Sequence, residues 1–449
     1  MTSAKLESAT QALIEAALRA GADSADSIAM RGASTSVDVR AQTLEHAERA
    51  EQLDIGLRVL VGQRQAVVAS SHVSGAATAE MAERAVAMAR EAPEDPHAGL
   101  ADPKDLAKEW DAEALAMADP ALEPAPDYLQ DVATRAEAAA LDQSGISQVQ
   151  QSTSGHSAYD IHLAASNGFS GGYQRTENWI SCSAITGTGT AMERDASSDA
   201  RIYASDLRSP EDIGTEAATR ALARSGSKKP PTGAFPVLFD ERIASSLIGH
   251  LLTAINGSSV ARGASWLRDA MGQQVLPAGL DVIEDPLRPR VGGSRPFDGE
   301  GLPTTRRALV QNGKLQSWTL DLSTARQLDL APTGNAARGT SGPPSPRNWN
   351  ISLTQGNTSK DDLIRDMGAG LIVTSMIGST INPNTGDYSR GVSGHWVENG
   401  EVTYPVNECT IAGNLRDMLL SITPANDARA YLSRVVPSLL VSGMTLAGN

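Results

Sequence analysis

The segment LDIGLRVLVGQRQAVVASS, from Leu53 to Ser71, carries the clearest fold signal in the sequence. Its odd-numbered positions are apolar as far as Val61, whereas the positions between them include the charged Arg58. Alternation with a period of two is typical of a strand that buries one face. The Gly62–Gln63 pair then interrupts the pattern before a second apolar run, as in a tight turn. We therefore expect a hairpin whose first strand is half-buried.

Around this hairpin, helical and strand patterns do not alternate regularly. Helices are predicted near residues 78–90, 128–141, 210–223, 241–255 and 359–366, and further strands from about 146 to 203. Irregular alternation favours an α+β fold over a doubly wound parallel sheet. We predict an N-terminal domain with helices on a mixed or antiparallel sheet, followed by a C-terminal domain of mostly antiparallel, barrel-like β structure.

Two stretches rich in Gly, Ser and Pro mark the organisation of the chain. The first, RSGSKKPPTGAFP from Arg224 to Pro236, has the composition of a domain linker. It divides the chain into a predicted N-terminal domain, residues 1–229, and a C-terminal domain, residues 230–449. The second, TGNAARGTSGPPSP from Thr333 to Pro346, is expected to be a mobile surface loop or a binding loop.

Composition excludes several classes of function. The formal net charge of -15 argues against a nucleic-acid surface, which needs clustered Lys and Arg. Only two cysteines, Cys182 and Cys409, are present, so neither a disulfide framework nor a cysteine-based zinc cluster is expected. No apolar run approaches the roughly 20 residues that cross a bilayer, and the first residues lack a signal-peptide pattern. We expect a cytoplasmic protein that is not embedded in a membrane.

Common catalytic motifs are missing. The sequence has no Gly-x-Ser-x-Gly elbow, no complete Gly-rich nucleotide loop and no His-Glu-x-x-His helix. His156 and His162 fall in a predicted strand region, six residues apart, so they could share a face but are too distant to chelate one ion. Exposed strand histidines are the simpler expectation for this pair.

The predicted helix ERIASSLIGHLL, from Glu241 to Leu252, places one imidazole in an apolar surround. By spacing alone, His250 is more often a structural histidine than a ligand. If positions 245 and 246 were His and Glu, the helix would have the zinc motif of a metallopeptidase. Here Ser245 and Ser246 occupy those positions.

Long segments of the chain resemble the TldD/PmbA family, and specifically its PmbA (TldE) branch. The N-terminal half matches more loosely, through ADSADSIAMRG and IGLRVLVGQRQAVVASS. The most specific segments are IGHLLTAINGSSVARGASWLRDAMGQQV (248–275), PFDGEGLPTTRRALVQNGKLQSWTLD (296–321), TGNAARG (333–339) and GDYSRGVSGHWVENGEVTYPVNECTIAGNLRDML (386–419).

The resemblance implies a two-domain α+β protein that pairs with a TldD-type subunit in a cytoplasmic metallopeptidase acting on unfolded or modified peptides. In the TldD branch, a His-Glu-x-x-x-His helix and a C-terminal cysteine hold zinc, and the glutamate is the general base. Carried onto this chain, Ser245 replaces the first ligand, Ser246 replaces the base and His250 remains. The last residues contain no cysteine. The resemblance therefore implies no catalytic residue and no metal in this chain, and zinc in the TldD-type partner.

A subunit without catalysis could still shape the chamber and bind peptide along a strand edge. Our candidates for that surface are Asp387, Tyr388, Ser389, Arg390, Glu398 and Asn399. The equally favoured alternative is a well-packed hairpin with a type I′ turn at Asn399–Gly400.

Two other functions stay open from the sequence. One is a regulatory or interaction protein that works without a peptidase partner. The other is an autonomous homodimeric metallopeptidase that assembles its site from His250 and side chains elsewhere.

Overall fold

The structure, a computed structural model that describes residues 3–72 and 75–448, has the predicted α+β fold. The helices are α1 Ser3–Arg19, α2 Gly75–Glu91, α3 Pro126–Leu141, α4 Pro210–Leu222, α5 Glu241–Ala254, α6 Gly257–Ala261, α7 Leu322–Gln327, α8 Lys360–Met367 and α9 Leu415–Leu420. The five helices predicted from the sequence are thus confirmed, as α2, α3, α4, α5 and α8. No helix in the described ranges is both long and apolar enough to cross a membrane.

The strands form two large sheets and smaller ones. Those of the first half are β1 Ser24–Arg40, β2 Thr43–Val61, β3 Arg64–Ser70, β4 Ile146–Ala165, β5 Ser170–Thr186 and β6 Glu193–Arg201. Those of the second half are β7 Gly233–Phe239, β8 Val282–Glu284, β9 Arg307–Gln311, β10 Lys314–Leu315, β11 Ala336–Ala337, β12 Ser345–Pro346, β13 Ile351–Leu353, β14 Gly370–Ile381, β15 Asp387–Glu398, β16 Glu401–Asn414, β17 Ile422–Pro424, β18 Arg434–Val435 and β19 Leu439–Ala447.

The first large sheet is antiparallel, with strand order β3-β2-β1-β4-β5-β6. Helices α1 to α4 cover one of its faces. Their buried positions are mostly alanines, among them Ala85, Ala136 and Ala217, which are fully buried. Small side chains let a helix approach the sheet closely, which explains how a chain with only 4% aromatic residues fills this core.

The hairpin predicted at the start is confirmed, since β2 and β3 pair from Ile55↔Ser70 to Val61↔Arg64. The prediction that its first strand is half-buried is wrong, because every residue from 55 to 60 is buried. Helices cover one face and the C-terminal half covers the other. A Cβ at Gly56 would overlap the carbonyl oxygen of Thr340, so the two halves are in direct contact there.

The second large sheet closes into a barrel. Its strand order is β16-β15-β14-β7-β19-β17, and β16 also pairs with β19 from Thr410↔Ala447 to Ala412↔Thr445. All of its pairings are antiparallel except β7 with β14. Helix α5 follows the first barrel strand directly and packs on this barrel. The predicted boundary near residue 230 lies between α4 and β7.

The segment from Thr333 to Pro346, expected as a mobile or binding loop, is a folded hairpin. Strand β11 pairs with β12, and the Asn335 amide donates to a Glu284 carboxylate oxygen at 2.9 Å. The Arg338 side chain is fully buried and reaches Asp26 of the first sheet at 2.6 Å. The segment therefore contacts both halves of the molecule, because Asn335 binds the buried Glu284 and Arg338 pairs with the buried Asp26.

The expectation that His156 and His162 are exposed is also wrong. Their side chains lie on the face of the first sheet that the helices cover, and the residues are 6% and 5% exposed. His156 Nδ1 lies 2.9 Å from Asn178 Oδ1, and His162 Nδ1 lies 2.9 Å from Thr10 Oγ1. Both are structural histidines, whose hydrogen bonds offset the cost of burying a polar ring.

Candidate functional site

Helix α5 is held in place at its start and along one face. Asp240 caps it by accepting a hydrogen bond from the Arg242 backbone N–H at 3.2 Å. The apolar face, which includes Leu247 and Leu251, is fully buried in the core of the barrel domain. The flanking positions, including Ser246, are half-buried at the edge of this core. The helix thus presents the degenerate motif beside the barrel strands.

His250 packs against the start of strand β15. Its ring meets Tyr388 edge to face, with centroids 5.8 Å apart and an interplanar angle of 71°. Burial, and then the nearby Arg390 guanidinium, lower the pKa of His250 to about 4. The imidazole is therefore neutral at physiological pH. Within the described residues, its Nε2 atom and Ser246 Oγ are buried without a hydrogen-bond partner.

Two separate predictions from the sequence thus meet in one place, at the degenerate helix and the start of β15. Tyr388 is only 2% exposed, and burial raises its pKa to about 12. Arg390 is half-buried, and its Nε lacks a partner in the part of the chain described. We call Ser246, His250, Tyr388 and Arg390 the α5–β15 cluster.

The other candidate peptide contacts lie outside this cluster. Asp387 is exposed, and hydrogen bonds from Thr385 and Asn414 lower its pKa. Ser389 is half-buried opposite Ala412 of β16. Asp387 is therefore available at the surface, but its carboxylate is already engaged by its neighbours.

Glu398 and Asn399 lie at the far end of β15, roughly 35 Å from Asp387 at the usual rise per strand residue. Asn399 and Gly400 have φ angles of 53° and 77°, and Glu398 pairs with Glu401. The alternative interpretation, a packed hairpin with a type I′ turn, is thereby confirmed. The six candidates do not form one surface.

Strand β15 also offers no free edge to a peptide. It pairs with β14 on one side, from Tyr388 to Val397, and with β16 on the other, from Asp387 to Glu398. The prediction that a peptide adds as a strand to the edge of β15 is therefore wrong. The backbone donors and acceptors of β15 are already used in pairing with the neighbouring strands of the barrel.

The side chains around His250 do not fit a zinc ion. A catalytic zinc site normally has three protein ligands and an open position. Among the described residues, no group of three or more His, Cys, Asp or Glu side chains is placed to hold a metal. Arg390 is the charged group that lowers the pKa of His250, and its positive charge would repel a divalent ion. Burial raises the pKa of Cys409 to about 11 and of Cys182 to about 12, so both thiols stay protonated.

Sequence reasoning missed two cavities, of which one lies beside this helix. The helix groove, about 350 Å³, is lined by Gly249 and Thr253 on the open side of α5 and by Trp349 and Arg434 across from them. The sheet cavity, about 540 Å³, lies between the first sheet and the C-terminal half. Arg295 lines both. Their lining residues are spread over most of the chain, so no local pattern could have revealed them.

Comparison with known families covers nearly the whole chain. Models of the PmbA/TldA metallopeptidase match in three parts, which are domain 1 at residues 25–89, the central domain at 118–225 and the C-terminal domain at 232–448. The chain is 36% identical over 445 residues to Metalloprotease PmbA of Escherichia coli O157:H7, covering 99% of this chain and 96% of that protein. A PmbA homolog of Haemophilus influenzae is 35% identical over 450 residues, with the same coverage.

Solved structures share the fold. A Bacteroides thetaiotaomicron protein, named for a proposed role in modulating DNA gyrase, superposes with a TM-score of 0.90 at 26% identity and 98% coverage of both chains. TldE from Thermococcus kodakarensis superposes with a TM-score of 0.84 at 20% identity, over 98% of this chain and all of that one, which shows the fold alone. From the family models and the full-length identity, this chain belongs to the PmbA/TldD metallopeptidase family, in its PmbA (TldE) branch.

Proposed function

We propose that this chain is the non-catalytic subunit of a two-chain metallopeptidase that cleaves unfolded or modified peptides in the cytoplasm. In this proposal a TldD-type subunit carries the zinc, and the present chain shapes the chamber and binds peptide. The observation that carries the proposal is the α5–β15 cluster. It holds a single imidazole beside a guanidinium, where a catalytic zinc would need several convergent ligands.

The cluster also lacks a general base for peptide hydrolysis. Ser246 stands where the metallopeptidase motif needs a carboxylate, and a hydroxyl does not accept a proton from water at neutral pH. The His250 imidazole, whose pKa is lowered to about 4, is a much weaker base than an ordinary histidine. Without a metal to activate water, this helix supports packing rather than hydrolysis.

A bound peptide would be held by side chains rather than by pairing with the backbone of β15. Among the candidates chosen from the sequence, Asp387 and Ser389 at one end and Glu398 and Asn399 at the other remain proposed contacts. Buried Tyr388 and half-buried Arg390 would act by supporting α5. The helix groove along α5 and the sheet cavity offer space for a peptide.

The test is hydrolysis of an unstructured peptide by this chain alone, by a TldD-type partner alone and by their mixture. We expect activity only in the mixture, and we expect the chelator o-phenanthroline to abolish it. A mixture no more active than the partner alone would favour the regulatory or interaction role instead.

A second candidate is an autonomous, homodimeric metallopeptidase, because a relative of 36% identity carries the name metalloprotease. Chelator-sensitive hydrolysis by this chain alone, retained after His250→Ala, would point to ligands outside α5. The same activity abolished by His250→Ala would make His250 a ligand. Either result would overturn the non-catalytic assignment.

A further inference from the structure

Arginine side chains dominate the charge of the sheet cavity. They are Arg175, Arg201, Arg290, Arg295 and Arg338. Two of them are already neutralised, because Arg201 pairs with Asp199 at 2.9 Å and Arg290 with Asp206 at 3.1 Å. In the described lining, the charge of the remaining three is opposed by one carboxylate, that of the exposed Glu177.

Arg175 and Arg295 face the cavity without an acidic partner. Across the described residues, no carboxylate oxygen lies within 4.0 Å of either guanidinium. Arg295 Nη1 donates to the Tyr173 hydroxyl at 2.7 Å, its guanidinium lies 4.1 Å from the Trp349 ring centroid, and its Nε is buried without a partner. Burial, and then the neighbouring Arg295, lower the pKa of Arg175. Two adjacent, partly desolvated cations favour an incoming anion.

Arg338 adds to this positive charge at the back of the cavity. Its side chain is fully buried, and it shares the Asp26 carboxylate with Arg58. Arg338 Nη1 lies 2.6 Å from Asp26 Oδ1, but the groups are not aligned for hydrogen bonding, and the Arg338 nitrogens lack a hydrogen-bond partner in the described chain. Glu300 is the next carboxylate, and burial followed by Asp298 raises its pKa well above normal, which weakens its negative charge.

Beside the polar Ser157, Thr176 and Ser433, the rest of the lining has an apolar wall. It includes Ile28, Met30, Ile161, Ile202 and Leu432. A volume of about 540 Å³ is typical of small-ligand pockets, and the half-exposed Arg290 lies where the cavity opens to solvent. An apolar wall suits a ligand with hydrophobic side chains, and a planar guanidinium suits a carboxylate, which accepts two parallel hydrogen bonds.

We propose that the sheet cavity binds the carboxylate of a short peptide segment, held by Arg175 and Arg295 with Arg338 behind them. The inference rests on the proposed function only in taking the ligand to be a peptide. Because Arg295 also lines the helix groove, a peptide anchored by its carboxylate can continue past Gly249 and Thr253 of α5. The carboxylate belongs either to the C-terminus or to an acidic side chain.

Calorimetric titration of this chain alone, without any partner, tests the inference with four acetylated pentapeptides. One is Leu-Ala-Leu-Ala-Leu with a free carboxylate, and the second is its C-terminal amide. The other two are amides with Glu or Gln at the central position. We expect at least one acidic peptide to bind roughly ten-fold or more tightly than its neutral match. Preference for the first peptide identifies the C-terminus, and preference for the third identifies the side chain.

Variants locate the binding to the arginines. Arg175→Gln and Arg295→Gln remove the charge and shorten the side chain, but keep a polar amide that can donate a hydrogen bond. Each is expected to weaken the acidic peptide by roughly ten-fold. Arg268→Gln is the matched control, because the side chain of Arg268 is 60% exposed and lies outside the cavity. Arg295→Lys checks that charge rather than folding is responsible, and it should bind more tightly than Arg295→Gln.

Three results would overturn the inference. They are equal binding of acidic and neutral peptides, binding unchanged in both glutamine variants, or no binding of any peptide. Displacement of the acidic peptide by inorganic phosphate, at a concentration at which acetate has no effect, would instead identify a phosphate site. Because no partner is present, these outcomes are independent of whether the two-chain peptidase exists.

Discussion

At the scale of single residues, His250 shows how a histidine can be buried without a metal. Its ring lies against Tyr388, and Arg390 disfavours the protonated form. The imidazole is therefore a neutral packing group, and its protonation in the folded state is unfavourable.

This burial predicts a dependence of stability on pH. In the unfolded chain the imidazole titrates near 6.5, whereas the folded pKa of His250 is about 4. As the pH falls between these values, the unfolded chain gains a proton that the folded chain does not, so the free energy of unfolding decreases. We expect His250→Gln to reduce this loss between about pH 7 and about pH 5 by about 1 kcal/mol, allowing for partial exposure. Urea unfolding at both pH values measures it.

The matched control is His46→Gln, because the side chain of His46 is 61% exposed. It should leave the pH dependence as in the parent chain. Burial also lowers the pKa of His162 and of His395, so some dependence will remain in His250→Gln. A pH dependence identical in the parent and in His250→Gln would contradict the account of the cluster.

The sequence identified the members of the α5–β15 cluster but not their contact. The pattern at Ser245, Ser246 and His250 was visible in one helix, and Tyr388 and Arg390 were chosen for another reason. Their meeting depends on how α5 lies against the closed barrel, and no local pattern encodes that. The exposure of His162 was mispredicted for a similar reason, because Thr10 of helix α1, which contacts its ring, is 152 residues away in the sequence.

At the scale of elements, the turn between β15 and β16 is set by its backbone conformation. Asn399 adopts a φ of 53°, which Asn and Gly tolerate and β-branched residues do not. We expect Asn399→Val to lower the free energy of unfolding by about 1–2 kcal/mol. Asn399→Gly should stay within about 0.5 kcal/mol of the parent. Equal effects of the two substitutions in urea unfolding would argue against a type I′ turn.

Strand β2 shows what happens when both faces of a strand are covered. A Cβ at Gly56 would overlap the Thr340 carbonyl, so Gly56→Ala must push the hairpin of β11 and β12 away from the sheet. We expect a loss of about 1–3 kcal/mol in the free energy of unfolding. In Gly339→Ala, by contrast, a Cβ would meet no atom within 4 Å, so that variant should unfold like the parent. A harmless Gly56→Ala would show that the contact is loose.

Element types were predictable because helical periodicity and turn residues act locally. The burial of β2 was not, because its second face is covered by residues far along the chain. The Gly, Pro and Ser content of the 333–346 segment indicated irregular backbone, but not the buried anchor that Arg338 provides within it.

At the scale of the whole molecule, Asp26 lies where the first sheet meets the C-terminal half. It pairs with Arg58 of its own sheet and with Arg338 of the other half. We expect Asp26→Asn to lower the free energy of unfolding by about 3–5 kcal/mol, because two buried guanidinium groups lose their shared anion. Arg338→Met should change it by less than about 1 kcal/mol, because burial lowers the pKa of Arg338 to about 10 and its charge therefore gains little by folding.

Urea unfolding of both variants measures this asymmetry. Arg365→Met serves as the surface control, since Arg365 and its partner Asp362 are 66% and 44% exposed, and should change little. If Asp26→Asn and Arg338→Met lowered the free energy of unfolding equally, Arg338 would stabilise the contact between the two halves. That result would weaken the view that Arg338 is retained for a ligand.

The α+β class and the family could be predicted for the whole molecule, but the cavities could not. The sheet cavity combines residues from Ile28 to Ser433, which come together only when the two halves pack. The net charge of -15 also gave no hint of a local excess of arginine.

The most direct test of the central claim is the zinc content of this chain, purified alone with zinc supplied and measured by plasma mass spectrometry. The account predicts far less than one equivalent per chain, and no change on His250→Ala. One tightly held equivalent that is lost in His250→Ala would contradict it, and would show that the α5–β15 cluster is a metal site.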